Sequence, residues 1–396
     1  MKILLAAASF ASKMSGLQRH ALNLARCLLL EPEVSTLHLV IAPWQHHFVQ
    51  AAGLHSDSRV VTHIAKMDKS SLSRNLWYYR DLPELAARLE VDLVHLSYPM
   101  PVNAAAFRSP TVVTLHDLYP YEIPTNFGFP KFIFNRIVLR QCLRNVDAVA
   151  CVSDTTLLRL KRYAPSAVWQ KAVRIFNCVE AAPVYDVKTP IQGWEGERFL
   201  LSVAQHRRNK NIPLLIQTFH RLSSTGQIDA DMKLLVIGIE GPETDKIRRL
   251  VSTLGLAGNI SFREGVSESE LQWCYARCEA VVCPSLKEGF GLPIAEALLA
   301  GCRVVCSDIP VFREVGDGHC RFVPLGKQAE EVLAAAIVAT LQYPKGPQMT
   351  LEQFSPPVLA KQYSSLYRKL ISCPAPSRNT WVAASVNTAT SERLPL

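Results

Sequence analysis

The chain has 396 residues, with 48% hydrophobic and 19% charged side chains, a balance that fits globular rather than disordered protein. Its length exceeds one ordinary core and fits two domains, and no apolar run approaches the ~18 residues of a membrane-spanning helix. A net charge of +9 and a pI near 9.0 favour anionic partners such as nucleotides, lipid phosphates or the inner membrane leaflet. Nucleic acid is set aside, because no helix-turn-helix, zinc-finger or RNA-recognition pattern is visible. The eleven cysteines are odd in number, scattered and embedded in apparent strands and helices, which suits a reducing cytoplasm better than a disulfide scaffold.

In the first half, strand-like runs at 2–8, 37–42, 92–97, 111–115, 147–153 and 173–176 alternate with helix-length segments, the pattern of a doubly wound α/β parallel sheet. Residues 2–11 superficially resemble a short signal peptide, but a first strand and then a glycine loop account for these residues and for those after them. Ligands of such sheets collect beyond the carboxyl ends of the strands, so the residues there carry most weight. Beyond the first run, Ser15-Gly16-Leu17-Gln18-Arg19-His20 is expected as a loop leading to an amphipathic helix at 21–29; Gly16 would let a ligand approach the backbone, or is simply a turn. Beyond 111–115 stand His116 and Asp117, which could bind a sugar hydroxyl or simply close a strand, and then an aromatic, proline-rich loop. Arg136, Arg140 and Arg144 recur every four residues and share a helix face; a solvated face is the plainer reading, and contact with an anionic membrane the sharper one.

Residues 181–198 break the periodicity with Pro and Gly and are expected as a linker between an N-terminal domain, 1–180, and a C-terminal domain, 199–350. The second domain repeats the alternation. After its first strand comes a basic loop, Gln205-His206-Arg207-Arg208-Asn209-Lys210-Asn211, whose cations could clamp a diphosphate. Ser267-Glu268-Ser269-Glu270 is a capping-box helix start. The Asp229-Ala230-Asp231 triplet precedes a strand, at the wrong end of the sheet for a phosphate-bound metal, so no metal site is assigned.

The most informative stretch is 283–301. A strand at 280–283 leads through Glu288-Gly289-Phe290-Gly291-Leu292 into a helix that Pro293 opens and Gly301 closes. Amides at such a helix start attract an anion, and glycine permits close approach. Glu288 and Glu296 can face the same pocket, where they are better suited to sugar hydroxyls than to phosphate. A further helix at 351–371 precedes 372–396, expected as a disordered tail.

These residues together resemble the retaining glycosyltransferases of family 4, whose GT-B fold sets two Rossmann-like domains face to face. Glu288, Gly289, Phe290, Gly291, Pro293, Glu296, Ala297 and Gly301 fall where that family has its E-x7-E signature. Ser15-Gly16-Leu17, Thr114-x-His116-Asp117, Lys210-Asn211 and Pro310-x-x-Arg313-Glu314 support it, and the resemblance covers nearly all but the tail. It implies that Glu296 binds the donor ribose, that Glu288 with the amides of Phe290, Gly291 and Leu292 holds the donor sugar, and that Arg207 or Arg208 with Lys210 neutralises the diphosphate. It also implies that His116 faces the transferred sugar, with Gly16 and Asp117 in the substrate-binding set.

The resemblance further implies retention without a metal or other cofactor, from a UDP- or GDP-sugar co-substrate to a glycan or lipid-linked acceptor in polysaccharide biosynthesis. It places the enzyme in the cytoplasm, with peripheral membrane contact as an option, and has the 351–371 helix cross back to brace the first domain. Val203-Ala204-Gln205-His206-Arg207-Arg208-Asn209 departs from the family's arginine-bearing glycine loop, and Ser15-Gly16 from its paired glycines. The rivals are a nucleotide-sugar epimerase or hydrolase on the same fold, and a non-catalytic nucleotide-sugar-binding partner of a synthase.

Overall fold

A computed structural model describes residues 1–180 and 191–373; part of the expected linker, and all of the expected tail except its first two residues, lie outside the described residues. The chain forms two compact units, one built from Met1–Cys178 with the segment from Glu352 onward, the other from Val179–Leu351.

The first unit holds seven parallel strands: β1 (Lys2–Ala6), β2 (Thr36–Ile41), β3 (Val60–Ile64), β4 (Leu93–Leu96), β5 (Thr111–Leu115), β6 (Ala148–Cys151) and β7 (Ala172–Arg174). Their order is β3-β2-β1-β4-β5-β6-β7. β4, β5 and β6 are buried along their whole length, as expected of parallel strands covered on both faces, and read as near-continuous apolar runs. β3 lies at the sheet edge with every residue at least partly accessible, and escapes the sequence reading for that reason.

One helix begins earlier than the sequence suggests. Gly16 is the first residue of the helix Gly16–Leu29, not part of a preceding loop. The Gln18 side chain reaches back to accept the Ser15 amide at 2.8 Å and donates to the Ala11 carbonyl at 2.6 Å, which fixes the helix start.

The helix Pro356–Ser372 belongs to this same unit. It packs on Gly16–Leu29, where the Cys27 thiol meets the Pro356 carbonyl at 3.3 Å. Leu359, Ala360, Tyr363 and Tyr367 are inaccessible or nearly so, and Phe354 meets Phe176 edge to face with ring centroids 4.9 Å apart.

The second unit repeats the design with six parallel strands: β8 (Phe199–Val203), β9 (Lys233–Ile237), β10 (Ile260–Arg263), β11 (Ala280–Cys283), β12 (Val304–Ser307) and β13 (Arg321–Val323). Their order is β10-β9-β8-β11-β12-β13. In both sheets the order reverses once, between β1 and β4 and between β8 and β11, and this is where loops diverge and open a crevice at the carboxyl ends.

Phe354→Ala should cost about 3–5 kcal/mol, the range for removing a buried aromatic ring. A lower urea midpoint would show this; an unchanged midpoint would mean that the C-terminal segment does not share the stability of the first unit.

Candidate functional site

In the second unit the switch point brings two loops together. After β8 the chain makes a short turn, Arg208–Lys210, and Asn211 takes a left-handed conformation at φ 52° before the helix Ile212–Ser224. Asparagine tolerates that conformation better than most residues. After β11 the chain runs through Ser285–Phe290 to the helix Leu292–Leu299. Asn209, 1% exposed, fastens the loops: its carbonyl accepts from the Leu286 amide at 2.7 Å, and its carboxamide donates to the Lys287 carbonyl at 3.2 Å.

That fastening sets Lys210 Nζ 2.6 Å from Glu288 Oε1, and the Ser285 hydroxyl donates to the same oxygen at 2.7 Å. Both partners of the ion pair are largely withdrawn from water. A small cavity that opens to solvent is lined by Lys210, Ser285, Glu288, Gly291, Pro293 and Phe312 among others. Cys283 also lines it; burial pushes its thiol up to about 12, so it stays a neutral wall rather than a nucleophile at ordinary pH.

Gly291 caps the helix at φ 102°, so Leu292 is its first residue and Pro293 its second, and the helix begins one residue earlier than the sequence suggests. A β-carbon on Gly291 would lie 2.9 Å from the Phe312 ring, so both the conformation and the space require glycine. Gly301 closes the helix at φ 73°, as its position after the last apolar residue indicates.

Of the residues singled out in sequence, Lys210 and Glu288 meet directly, and Glu288 and Gly291 share the cavity wall. Glu296 is buried one helical turn on, where it accepts from the Tyr275 hydroxyl at 2.8 Å; it is not among the residues lining that cavity. Phe290 is buried, Arg207 half-buried and Arg208 exposed; all three lie with Gly289 on the same two loops, and Leu292 follows as the first residue of the helix. Asn209, Ser285, Tyr275 and Phe312 carry no sequence assignment; only the fold shows what they hold. Asp229 pairs with Arg198 at the far end of the sheet.

In the first unit, His116 and Asp117 come directly after β5, and Gly16 opens the helix after β1. Asp117 Oδ1 accepts the Tyr119 amide at 3.0 Å. The His116 Nε2–H donates to the Ser97 carbonyl at 2.8 Å, which fixes the tautomer and leaves Nδ1 as an acceptor. His20 meets His116 edge to face, with centroids 4.5 Å apart. Thr114 Oγ1 lies 3.2 Å from His20 Nε2 and 2.8 Å from His95 Nε2. Burial holds the cluster neutral: it lowers His116 to about 4 and His95 to about 3, and, with the neighbouring imidazoles, takes His20 well below its ordinary value.

The arginine helix, Lys131–Asn145, differs from a plain solvated face. The Arg136 guanidinium donates to the Pro120 and Tyr121 carbonyls at 2.7 and 3.3 Å and lies over the Tyr121 ring, because the loop after Asp117 folds back against it. Arg140 and Arg144 are exposed, as are Ile133, Phe134 and Ile137. Among the described residues no helix is long and apolar enough to cross a membrane, no cluster of three or more His, Cys, Asp or Glu could hold a metal ion, and no cysteine is joined in a disulfide.

Two Rossmann-like sheets, with a C-terminal helix returned to the first unit, make up the GT-B fold class. Residues 14–182 match Glycosyltransferase Family 4 and residues 186–350 match Glycosyl transferases group 1. The chain belongs to glycosyltransferase family 4 and is an enzyme of the hexosyltransferase kind.

It is similar to the O-antigen chain mannosyltransferase RfbU of Salmonella typhimurium, 29% identical over 205 residues, where the match spans 51% of this chain and only 53% of that protein. The O-antigen chain mannosyltransferase B of Escherichia coli is 27% identical over 80% of this chain and 84% of its own length. Among solved structures, Anabaena HepE in complex with UDP and glucose shares the fold with a TM-score of 0.62 at 16% identity, covering 98% of this chain and 99% of that one.

The histidine cluster carries a pH prediction. Imidazoles that are neutral when folded take up protons on unfolding once the pH falls below about 6.5, so their contribution is fully present above that value. It is lost on descent toward the folded values near 4 and 3, at about 1.4 kcal/mol per pH unit for each histidine. Urea midpoints should therefore fall increasingly steeply below pH ~6.5, and less steeply in His95→Asn. A profile flat down to about pH 5 would show the imidazoles already charged in the folded protein.

Proposed function

We propose that the chain transfers a hexose, with mannose as the first choice, from a nucleoside diphosphate sugar to a hydroxyl of a glycan or lipid-linked glycan acceptor, with retention at the anomeric carbon. The observation that carries this reading is the ion pair of Lys210 with Glu288 beside a glycine-capped helix start, in a cavity at the sheet's switch point. Mannose is favoured because relatives from two bacteria are named O-antigen chain mannosyltransferases.

In this proposal the diphosphate meets the Leu292–Leu299 helix start together with Lys210 and either Arg207 or Arg208, so positive charge is ready as the C1–O bond breaks. Lys210 must then be shared between Glu288 and the phosphate oxygens, which ties donor arrival to the position of Glu288. Glu288 accepts hydrogen bonds from the donor sugar, and Glu296, oriented by Tyr275, accepts from the ribose. The bare Nδ1 of His116 accepts from a hydroxyl of the transferred sugar. The acceptor oxygen forms the new bond on the face the diphosphate leaves, and its proton passes to the departing phosphate.

A thermal-shift panel of UDP, GDP, ADP and their sugars should single out one donor, since a ligand of the folded state raises apparent stability. With that donor, Lys210→Ala should lower kcat/KM by about 100-fold or more. Full activity in this variant would remove the diphosphate assignment, and failure to bind or consume any nucleotide sugar would remove the whole reading.

The exposed Arg140 and Arg144 beside Ile133, Phe134 and Ile137 support peripheral contact with an anionic bilayer, where each cation near the surface contributes about 1 kcal/mol. Arg140→Ala with Arg144→Ala should then reduce sedimentation with phosphatidylglycerol vesicles by about tenfold or more. Equal binding of variant and parent would end the membrane assignment.

A further inference from the structure

The histidine cluster extends beyond the residues that the proposed reaction uses. Starting from the C-terminal helix, the Tyr367 hydroxyl meets His95 Nδ1 at 2.5 Å, His95 Nε2 meets Thr114 Oγ1 at 2.8 Å, and Thr114 Oγ1 meets His20 Nε2 at 3.2 Å. The His20 ring stands edge-on to His116. Tyr367 and His95 are wholly inaccessible, Thr114 likewise, and His20 only 3% exposed.

An imidazole has one donor and one acceptor when neutral, and a hydroxyl has a single hydrogen. A hydroxyl also offers two lone pairs, so Thr114 Oγ1 can serve both imidazoles at once, and each Nε2 in the series is committed to that one buried oxygen. Neither ring can reorient or flip alone without stranding a buried polar atom. The series is thus a rigid strut and not three separate contacts. Its ends lie on the C-terminal helix Pro356–Ser372 and on the helix Gly16–Leu29, and Thr114 sits on β5 two residues before His116.

We infer that Tyr367, His95, Thr114 and His20 are positioning residues for His116: the buried series holds the His20 ring as a fixed wall, and that wall with the Ser97 carbonyl sets the His116 imidazole in one orientation and one tautomer. The C-terminal helix then has a part in the reaction, because its Tyr367 hydroxyl ends the series. This rests on the role proposed for His116. No ordinary packing need accounts for the polarity: β4 is otherwise Leu-Val-His-Leu, an apolar buried strand into which a leucine in place of His95 would fit by pattern.

Two near-isosteric variants, Tyr367→Phe and Thr114→Val, remove one hydroxyl each and keep the ring or branch. The full-length protein, selectively labelled with nitrogen-15 at histidine, reports the tautomer of each imidazole by long-range proton–nitrogen correlation without any sugar nucleotide. The expected result is a single Nε2–H tautomer for His116 in the parent and a shifted or mixed signal in both variants. With the donor selected by the panel, kcat should fall about tenfold while the donor KM, set by the second unit, stays within about twofold; these are order-of-magnitude expectations for a misplaced catalytic group.

An unchanged His116 signal with unchanged kcat in both variants overturns the inference. So does a kcat loss that tracks a fall in Tm while the His116 signal stays as in the parent, which would mark a merely structural series. Should one variant fail to fold, the other decides alone, and His95→Gln, which keeps a donor and an acceptor, should restore part of the signal that His95→Leu loses. The role of His116 itself is tested separately: His116→Ala with parental turnover would end that role whatever the imidazole spectra show.

Discussion

The structure of the second unit's site depends on one buried carboxylate. Glu288 accepts from both Lys210 and Ser285 on a single oxygen, and a carboxylate so withdrawn from water is tolerated only because it is paired. Its lysine arrives from the loop after β8 and its hydroxyl from its own loop after β11. The two strands are neighbours only because the sheet order reverses there, so the site is a consequence of the winding. Asn209 joins the backbones of the same two loops, and Gly291 sets the helix start so close to Phe312 that no side chain could replace it.

The first unit meets the same problem with the opposite electrostatics. Where the second unit buries a paired charge, the first buries imidazoles and keeps them uncharged, since protonating any one of His20, His95 or His116 would place a cation in a desolvated site beside two others. The neutral state gives His116 a fixed hydrogen-bond direction. Its Nε2–H is taken by Ser97, and only Nδ1 remains, as an acceptor. A polar group held in this way is directional without carrying charge.

Much of this architecture was legible in the sequence where burial makes the signal strong. β4, β5, β6, β11 and β12 are inaccessible throughout, and their apolar runs announce them. β3 and β13 are not so announced. One is an edge strand whose Val-Val-Thr-His-Ile is half wet, and the other is only three residues long, with a single buried residue. The capping box at Ser267 and the Gly301 stop are local chemistry and read directly. The start at Gly16 was misplaced because Gln18 caps the helix with its side chain, and a glycine before a helix ordinarily suggests a loop. The partners of the candidate site were hidden for a further reason. Tyr275 reaches Glu296 across twenty-one residues and Tyr367 reaches His95 across two hundred and seventy-two, and no spacing rule spans such distances.

That last separation has a physical consequence for the C-terminal helix. Deep burial of Leu359, Tyr363 and Tyr367 would by itself explain why the chain returns to the first unit after completing the second. Burial does not explain why Tyr367 presents its hydroxyl to an imidazole rather than to a carbonyl or to solvent, or why an otherwise apolar β4 spends a central position on His95. Both choices carry a desolvation cost that an apolar pair would avoid. They become intelligible together if the helix does more than cover the sheet: a directional buried series transmits its register to β5 two residues before His116, which a greasy contact, free to slide by a fraction of an ångström, would not do.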